Sequence, residues 1–287
     1  MKIKDTIIVI NSSNRVDRMV VQEKFPDDII KWVVAVPEDQ FESYDEVPMF
    51  RDHVIPIPSD VAGFLPSQRQ WVMEHFTKEG YKYIWLMDDD LTFFKRKTKK
   101  DKLVLRKSKE KHITDMFETM RKHLDEVPIV GISTRLGNNR ITDDYDEINR
   151  VTRCYAINTE VFAEVGAVFN PFEPFVAEDF HMALCFLNAG HKTRILHTYA
   201  QEDIGSNADG GCSEYRTAEV QKKTSFWMAE NHPEVSVKGK YSKGAWGLQE
   251  LKDGRNYRVD VIVGWKKAYK PKKKRATTGG LNSFFKK

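Results

Sequence analysis

Cysteine is scarce in this chain. Three residues, Cys154, Cys185 and Cys212, stand far apart among 287. An odd number at that spacing supports neither a disulfide framework nor a zinc cluster, and it suits a reducing cytoplasm. Long apolar runs are also missing. Nothing approaches the roughly 18 consecutive apolar residues of a membrane span. The N-terminal run Ile7-Ile8-Val9-Ile10 is too short for a signal-peptide core and lacks a small-residue cleavage site. Internal repeats are absent. The expectation is a cytoplasmic protein without a membrane partner, long enough to bury one sizeable core.

Charge is plentiful but segregated. The net charge of +4 conceals a segment of +8 over residues 95–111 and one of +9 over residues 266–287, so the rest of the chain is acidic. Positive charge gathered in two places suggests a polyanionic partner.

The apolar runs alternate with helical patterns. Strands are predicted at Ile7–Ile10, Trp32–Val36, His53–Ile57 and Tyr83–Met87, with a helix over Pro66–Lys78 closed by Gly80. Beyond the first basic segment, Ile113, Met116, Phe117, Met120 and Leu124 fall at helical spacing. Strands follow at Pro128–Ile132, Arg153–Ile157 and Lys192–His197, a helix at Glu178–Ala189, another over 215–231, and a late strand at Tyr257–Trp265. Strands joined by helix-length connections imply an α/β domain with a mainly parallel sheet and covering helices. The boundaries expected are one domain over 1–265, with a donor-binding half to about residue 94 and an acceptor half over about 112–265. A basic tail without structure then runs over 266–287.

The wholly apolar strand Tyr83-Ile84-Trp85-Leu86-Met87 ends in Asp88-Asp89-Asp90. At the carboxyl end of a parallel strand these side chains face the crevice where α/β folds bind ligands. Alternation along an extended chain puts Asp88 and Asp90 on one side and Asp89 on the other. Two such carboxylates suit Mg²⁺ or Mn²⁺ with positions open for phosphate oxygens. Glu178 and Asp179 open a helix, whose N-terminus favours their ionised forms. In the stretch Gly210-Gly211-Cys212-Ser213-Glu214-Tyr215-Arg216, the glycines suit a loop closing over a diphosphate that Arg216 neutralises.

Pro66-Ser67-Gln68-Arg69-Gln70-Trp71 through Trp85-Leu86-Met87-Asp88-Asp89-Asp90 resembles the core of glycosyltransferases with the GT-A fold. That resemblance implies a metal-dependent transferase using a nucleotide sugar, with a UDP-sugar as the expected donor. It implies that Asp90 ligates the metal, that Asp88 shares in the metal site or contacts the ribose, and that Asp89 belongs to the donor site. By the same likeness, the turn Asn11-Ser12-Ser13-Asn14-Arg15 receives the nucleotide and Arg69 lies near the diphosphate. Asp179 becomes the base of an inverting transfer with Glu178 as the alternate, and His197 completes the metal shell.

Three features point to DNA as acceptor. Two are the basic segments, the first directly behind the acidic triplet. The third is Thr278-Gly279-Gly280-Leu281-Asn282-Ser283-Phe284-Phe285, similar to clamp-binding peptides of replication proteins, with Leu281, Phe284 and Phe285 as its anchors. With Val130-Gly131-Ile132-Ser133-Thr134-Arg135-Leu136-Gly137-Asn138-Asn139, the chain resembles phage TET-associated, or base-J-type, glycosyltransferases. These attach a sugar to the hydroxyl of a 5-hydroxymethylpyrimidine in DNA. A transferase acting on a cell-surface polysaccharide or other glycan, and a non-enzymatic clamp-associated DNA-binding protein, are the competing expectations.

Overall fold

The computed structural model describes residues 3–19, 25, 30–99, 102–138, 140–203, 214–242, 249–250 and 256–272. Strands β1 (Ile3–Asn11), β2 (Ile30–Pro37), β3 (Val54–Ile57) and β4 (Tyr83–Asp88) form a parallel array in the spatial order β3-β2-β1-β4. Burial on both faces explains their composition. Ile8 and Ile10 of β1 join Tyr83, Trp85 and Met87 of β4 in one core layer. Ile7, Val9, Ile84 and Leu86 face the other. The short helix α1 (Phe41–Asp45) adds Tyr44 to the first layer, and α2 (Leu65–Lys78) adds Val72, Met73 and Phe76 to the second.

The sheet continues through β5 (Thr92–Lys99), β6 (Lys102–Lys107), β7 (Ile129–Thr134), β8 (Tyr145–Glu147), β9 (Cys154–Asn158) and β10 (Thr193–Glu202). Its full order is β3-β2-β1-β4-β9-β7-β10-β5-β6, with β8 also on β10. β7 and β10 are parallel, whereas β9 runs antiparallel to both β4 and β7. This is the expected α/β layout of a GT-A fold, a parallel array merged with a mixed half. The helix α3 (Glu110–His123) covers the first core layer with all five of its predicted apolar positions or their flank, Ile113 through Leu124.

The basic segment behind the triplet is a β-hairpin. β5 pairs antiparallel with both β10 and β6, so the hairpin closes the sheet at one edge. Its charges divide into two groups. Lys95 pairs with Asp115 at 2.8 Å, and buried Arg96 donates to the carbonyls of Ile141 and Asp143 at 2.9 and 2.8 Å. Lys97, Lys99, Lys102, Arg106 and Lys107 remain exposed.

After a kinked turn, α4 (Arg135–Asn138), come α5 (Thr159–Val165), α6 (Glu178–Asn188) and α7 (Ala218–Asn231). A small antiparallel sheet of β11 (Val235–Ser242), β12 (Gln249–Glu250) and β13 (Asn256–Val263) packs on α7 in the order β11-β13-β12. The expected tail does not begin at residue 266. Trp265 opens a short helix, α8 (Trp265–Ala268), and stacks on Phe180 with ring centroids 5.8 Å apart. The Lys270 amide donates to Leu187 O at 3.0 Å, and Lys272 pairs with Glu164 at 2.7 Å. An apolar anchor at Trp265 therefore carries the chain onto α6 as far as residue 272. Gly190 makes room for it: with φ of 85°, a Cβ there would lie 2.8 Å from Lys270 O. Leu281, Phe284 and Phe285 lie outside the described residues, as do Asn139 and Gly210–Ser213.

Candidate active site

The carboxyl ends of β1 and β4, the N-termini of α2 and α6, and the chain just before β9 and just after β10 converge on a cleft of about 210 Å³. Topology explains the convergence. β1 and β4 run parallel, so both end here, and β9 runs antiparallel to β4, so its start arrives beside Asp88. The Asp88 amide donates to Arg153 O at 2.9 Å, which ties the two segments together. Arg153 holds a φ of 62°, a conformation non-glycine residues adopt rarely.

All three aspartates line the cleft, but strand alternation does not set their directions. β4 ends at Asp88, and Asp89 and Asp90 occupy the turn beyond it. Asp88 pairs with Arg69 Nη2 at 2.7 Å. Asp89 accepts from Ser12 Oγ at 2.6 Å and from Arg15 Nη1 at 3.1 Å, while Asp90 reaches Arg15 only at 3.5 Å. So Asp89 and Asp90 share one cation, and Asp88 has another.

Burial pushes the Asp88 carboxyl up to about 7, against the pull of Arg69 and with help from Asp90 and Asp89. Burial also raises Asp90, as do Asp89 and Asp203, with Arg15 opposing. The cleft thus carries more negative charge around Asp90 than its arginines offset. Hard carboxylate oxygens with that surplus fit a divalent cation. Asp90 and Asp203 line the same cleft and are near enough to repel each other, so they and Asp88 are the residues that could hold one.

The turn after β1 stands where the nucleotide was expected. Asn11, Ser12, Ser13 and Arg15 line the cleft. Asn11 is 6% exposed, and neither end of its carboxamide has a hydrogen-bond partner among the described residues. An unsatisfied buried amide is costly unless a ligand completes it. Arg69, itself buried, joins the two carboxylate sites: its other nitrogen, Nη1, donates to Glu178 at 2.8 Å.

Helix α6 has no side-chain cap, and Glu178 and Asp179 supply negative charge in its first turn. Asp179 Oδ1 accepts from the Phe180 amide at 2.8 Å, and Oδ2 accepts from Arg150 Nε at 2.7 Å and also from Arg150 Nη2. Burial opposes ionisation of Asp179, but Arg150 and then Arg69 outweigh it, and its carboxyl is held below the usual range. Arg216 lines the cleft beside Tyr215, whose hydroxyl accepts from the Leu65 amide at 3.3 Å.

His197 is not brought to this site. It sits in the irregular stretch of β10 between Leu196 and Ala200, with Nε2 3.2 Å from Asp146, and does not line the cleft. Asn138 donates to its carbonyl at 2.8 Å. The acidic residue that β10 does deliver is Asp203, just past its end, paired with Arg153 at 2.8 Å. Sequence pattern does not single out Arg150, Thr152, Arg153 or Asp203, all of which line the cleft. Asp203 at least stands just past a strand end, whereas Arg150 and Arg153 become visible only through the antiparallel course of β9.

Residues 6–211 match the family described as TET-Associated Glycosyltransferase. No curated protein matches by sequence. Among solved structures, one titled "Crystal structure of GalNAc-T7 with UDP, GalNAc and Mn2+" is 13% identical, with a TM-score of 0.46. The match covers 80% of this chain and 50% of that one, so the chain spans about half the length of that protein. The family match takes in the Asn11–Arg15 turn, the acidic triplet, the Glu178–Asp179 helix start and Asp203, and the chain belongs to the TET-associated glycosyltransferase family.

Proposed function

We propose that this protein moves a sugar from a UDP-sugar to the hydroxyl of a 5-hydroxymethylpyrimidine in DNA, with inversion at the anomeric carbon. The observation that carries the donor half is the buried, unpartnered carboxamide of Asn11 in a cleft shared with Asp90, Asp203, Arg15 and Arg216. Asn11, Ser12 and Ser13 hold the nucleoside there, and Arg15 and Arg216 face the diphosphate. Asp90 and Asp203, with Asp88 alongside, would hold Mn²⁺ or Mg²⁺, which would supply charge neutralisation for the departing diphosphate.

Asp179 acts on the acceptor. Arg150 fixes its position and keeps it ionised at neutral pH, the form a base requires. The acceptor oxygen attacks the anomeric carbon, the bond from that carbon to the diphosphate oxygen breaks, and the hydroxyl proton passes to Asp179. Glu178, fixed by Arg69, positions that arginine and is the alternate base.

DNA as acceptor rests on the hairpin. β5 begins two residues after Asp90, and its exposed Lys97 and Lys99 continue into Lys102, Arg106 and Lys107 on β6. Five exposed cations on an edge that leads straight from the reaction centre suit a phosphate backbone. The base itself must leave the stack or be reached through the major groove. The expected engagement of a sliding clamp through Leu281, Phe284 and Phe285 completes the reading.

The test is mass spectrometry of nucleosides after incubating the full chain with Mn²⁺, mixed UDP-sugars and duplex DNA containing 5-hydroxymethylcytosine or 5-hydroxymethyluracil. A sugar-sized mass gain on the modified nucleoside is expected. Transfer to a glycan acceptor with none to DNA overturns the acceptor assignment. Failure of any sugar nucleotide to bind or be hydrolysed overturns the donor site.

A further inference from the structure

Outside the lining of the cleft, α6 and the end of α7 bring together a second cluster of ligand-bearing side chains. His181 and Cys185 are four residues apart on one helix face, and His232 follows the last turn of α7. His181 Nδ1 and His232 Nε2 are 2.8 Å apart, and Cys185 Sγ lies 3.7 Å from that same Nδ1. His181 and His232 are 6% and 5% exposed, while Cys185 is half-buried and opens the cluster to solvent. We propose that His181 Nδ1, His232 Nε2 and Cys185 Sγ bind a thiophilic divalent cation of the zinc class, with water in the fourth position.

The geometry suits a tetrahedral centre. With metal–nitrogen bonds of about 2.0–2.1 Å and a metal–sulfur bond of about 2.3 Å, the nitrogen–sulfur edge is about 3.6 Å and the nitrogen–nitrogen edge about 3.3 Å. The Cys185 Sγ–His181 Nδ1 separation already matches, Cys185 Sγ and His232 Nε2 lie within 4.8 Å, and the two rings need part by only about 0.5 Å. The next shell is also in place. The other nitrogen of His232, Nδ1, faces Glu234 Oε1 at 4.0 Å, and Glu234 is itself buried and held by Asn188 Nδ2 at 2.6 Å. A metal on Nε2 puts the ring proton on Nδ1, toward that carboxylate, as in carboxylate–histidine–zinc arrangements. Phe175 and Trp227 pack their rings against His181 and supply an apolar surround.

Proton bookkeeping is favourable on the histidine side. Burial, with His232 adding to it, lowers His181 to about 3, so no proton competes for its nitrogen at neutral pH. Burial pushes the Cys185 thiol up to about 12, so the metal must displace that proton on binding. The cation would tie α6, which carries Glu178 and Asp179, to the end of α7. His181 is two residues from Asp179, so the clamp would fix the helix turn that aims the base. This is an oxygen-poor, sulfur-containing set, chemically distinct from the carboxylate cleft, and it does not depend on the proposed reaction.

Cobalt(II) is the probe, because only thiolate coordination gives an intense near-ultraviolet charge-transfer band and the cleft carboxylates do not. The metal-stripped full chain is titrated with Co²⁺ alone. One equivalent is expected to develop the band together with tetrahedral d–d absorption. Zinc is expected to displace both and to raise the unfolding midpoint. Cys185→Ala and His232→Gln, checked for wild-type far-ultraviolet circular dichroism, are each expected to lose the band. A folded wild type without the band overturns the site, as does a band that persists in either folded variant.

Discussion

Arg69 is the strongest single test of how this cleft is held together. Its side chain is 3% exposed and bridges Asp88 at 2.7 Å and Glu178 at 2.8 Å, so it joins β4 to the start of α6. Arg69→Met keeps the volume and removes the charge. Each ion pair at about 4 Å between charge centres is worth about 4 kcal/mol at an effective dielectric of 20. Desolvating the arginine offsets part of that, and breaking a buried pair on one side costs about 3–5 kcal/mol. Asp88 contributes less than Glu178, because its side chain is still 29% exposed and burial already raises its carboxyl to about 7. The expected loss at pH 8 is therefore about 3–5 kcal/mol, mostly from Glu178. Without Arg69 the Asp88 carboxyl rises further, so the native variant binds more protons than the wild type as pH falls. The penalty must shrink toward pH 5.5. Urea unfolding of both proteins at the two pH values measures this. Glu178→Gln should recover most of the loss in the double variant. A penalty below about 1 kcal/mol, or one that is the same at both pH values, refutes the bridging role.

Other outcomes follow from the same geometry. Asp203→Asn and Asp90→Asn should each lower Mn²⁺-dependent hydrolysis of the sugar nucleotide at least about 100-fold, with His197→Gln leaving Mn²⁺ affinity unchanged; calorimetric Mn²⁺ titration separates them. Protons on Asp88 and Asp90 compete with a cation, so Mn²⁺ affinity should rise with pH and level off above about 7. In the metal-free protein the raised Asp88 works the other way, lowering stability as pH climbs through that value, and Asp88→Asn should stabilise it at pH 8. Replacing Lys97, Lys99 and Lys102 with glutamine should flatten the salt dependence of DNA binding by about 2–3 in slope, with hydrolysis of the sugar nucleotide unaltered. Gly190→Ala should lower the unfolding midpoint, because the left-handed backbone and the contact with Lys270 leave no room for a methyl group.

Local pattern alone accounts for much of this protein. The apolar runs of β1, β2 and β4 specify buried parallel strands, and the spacing from Ile113 to Leu124 specifies α3, because side-chain period and burial are properties of neighbours in sequence. The triplet and the Glu178–Asp179 start stand out for the same reason, each at the end of a recognisable element, whereas the Asn11–Arg15 turn and Arg69 were singled out only by resemblance to a family. The basic segment after the triplet was legible as charge, but its β-hairpin form was not, since lysine favours strands poorly and pairing with β10 overrides that preference. Tertiary structure decided what depends on which strands lie side by side. The antiparallel course of β9 brings Arg150 and Arg153 to the cleft, and the irregularity in β10 carries His197 away while delivering Asp203. The packing of α7 on α6 sets His232 against His181 and Cys185. Such meetings of residues 47 or 113 positions apart, Cys185 with His232 and Asp90 with Asp203, are fixed by strand order and helix packing, and no window of sequence contains them.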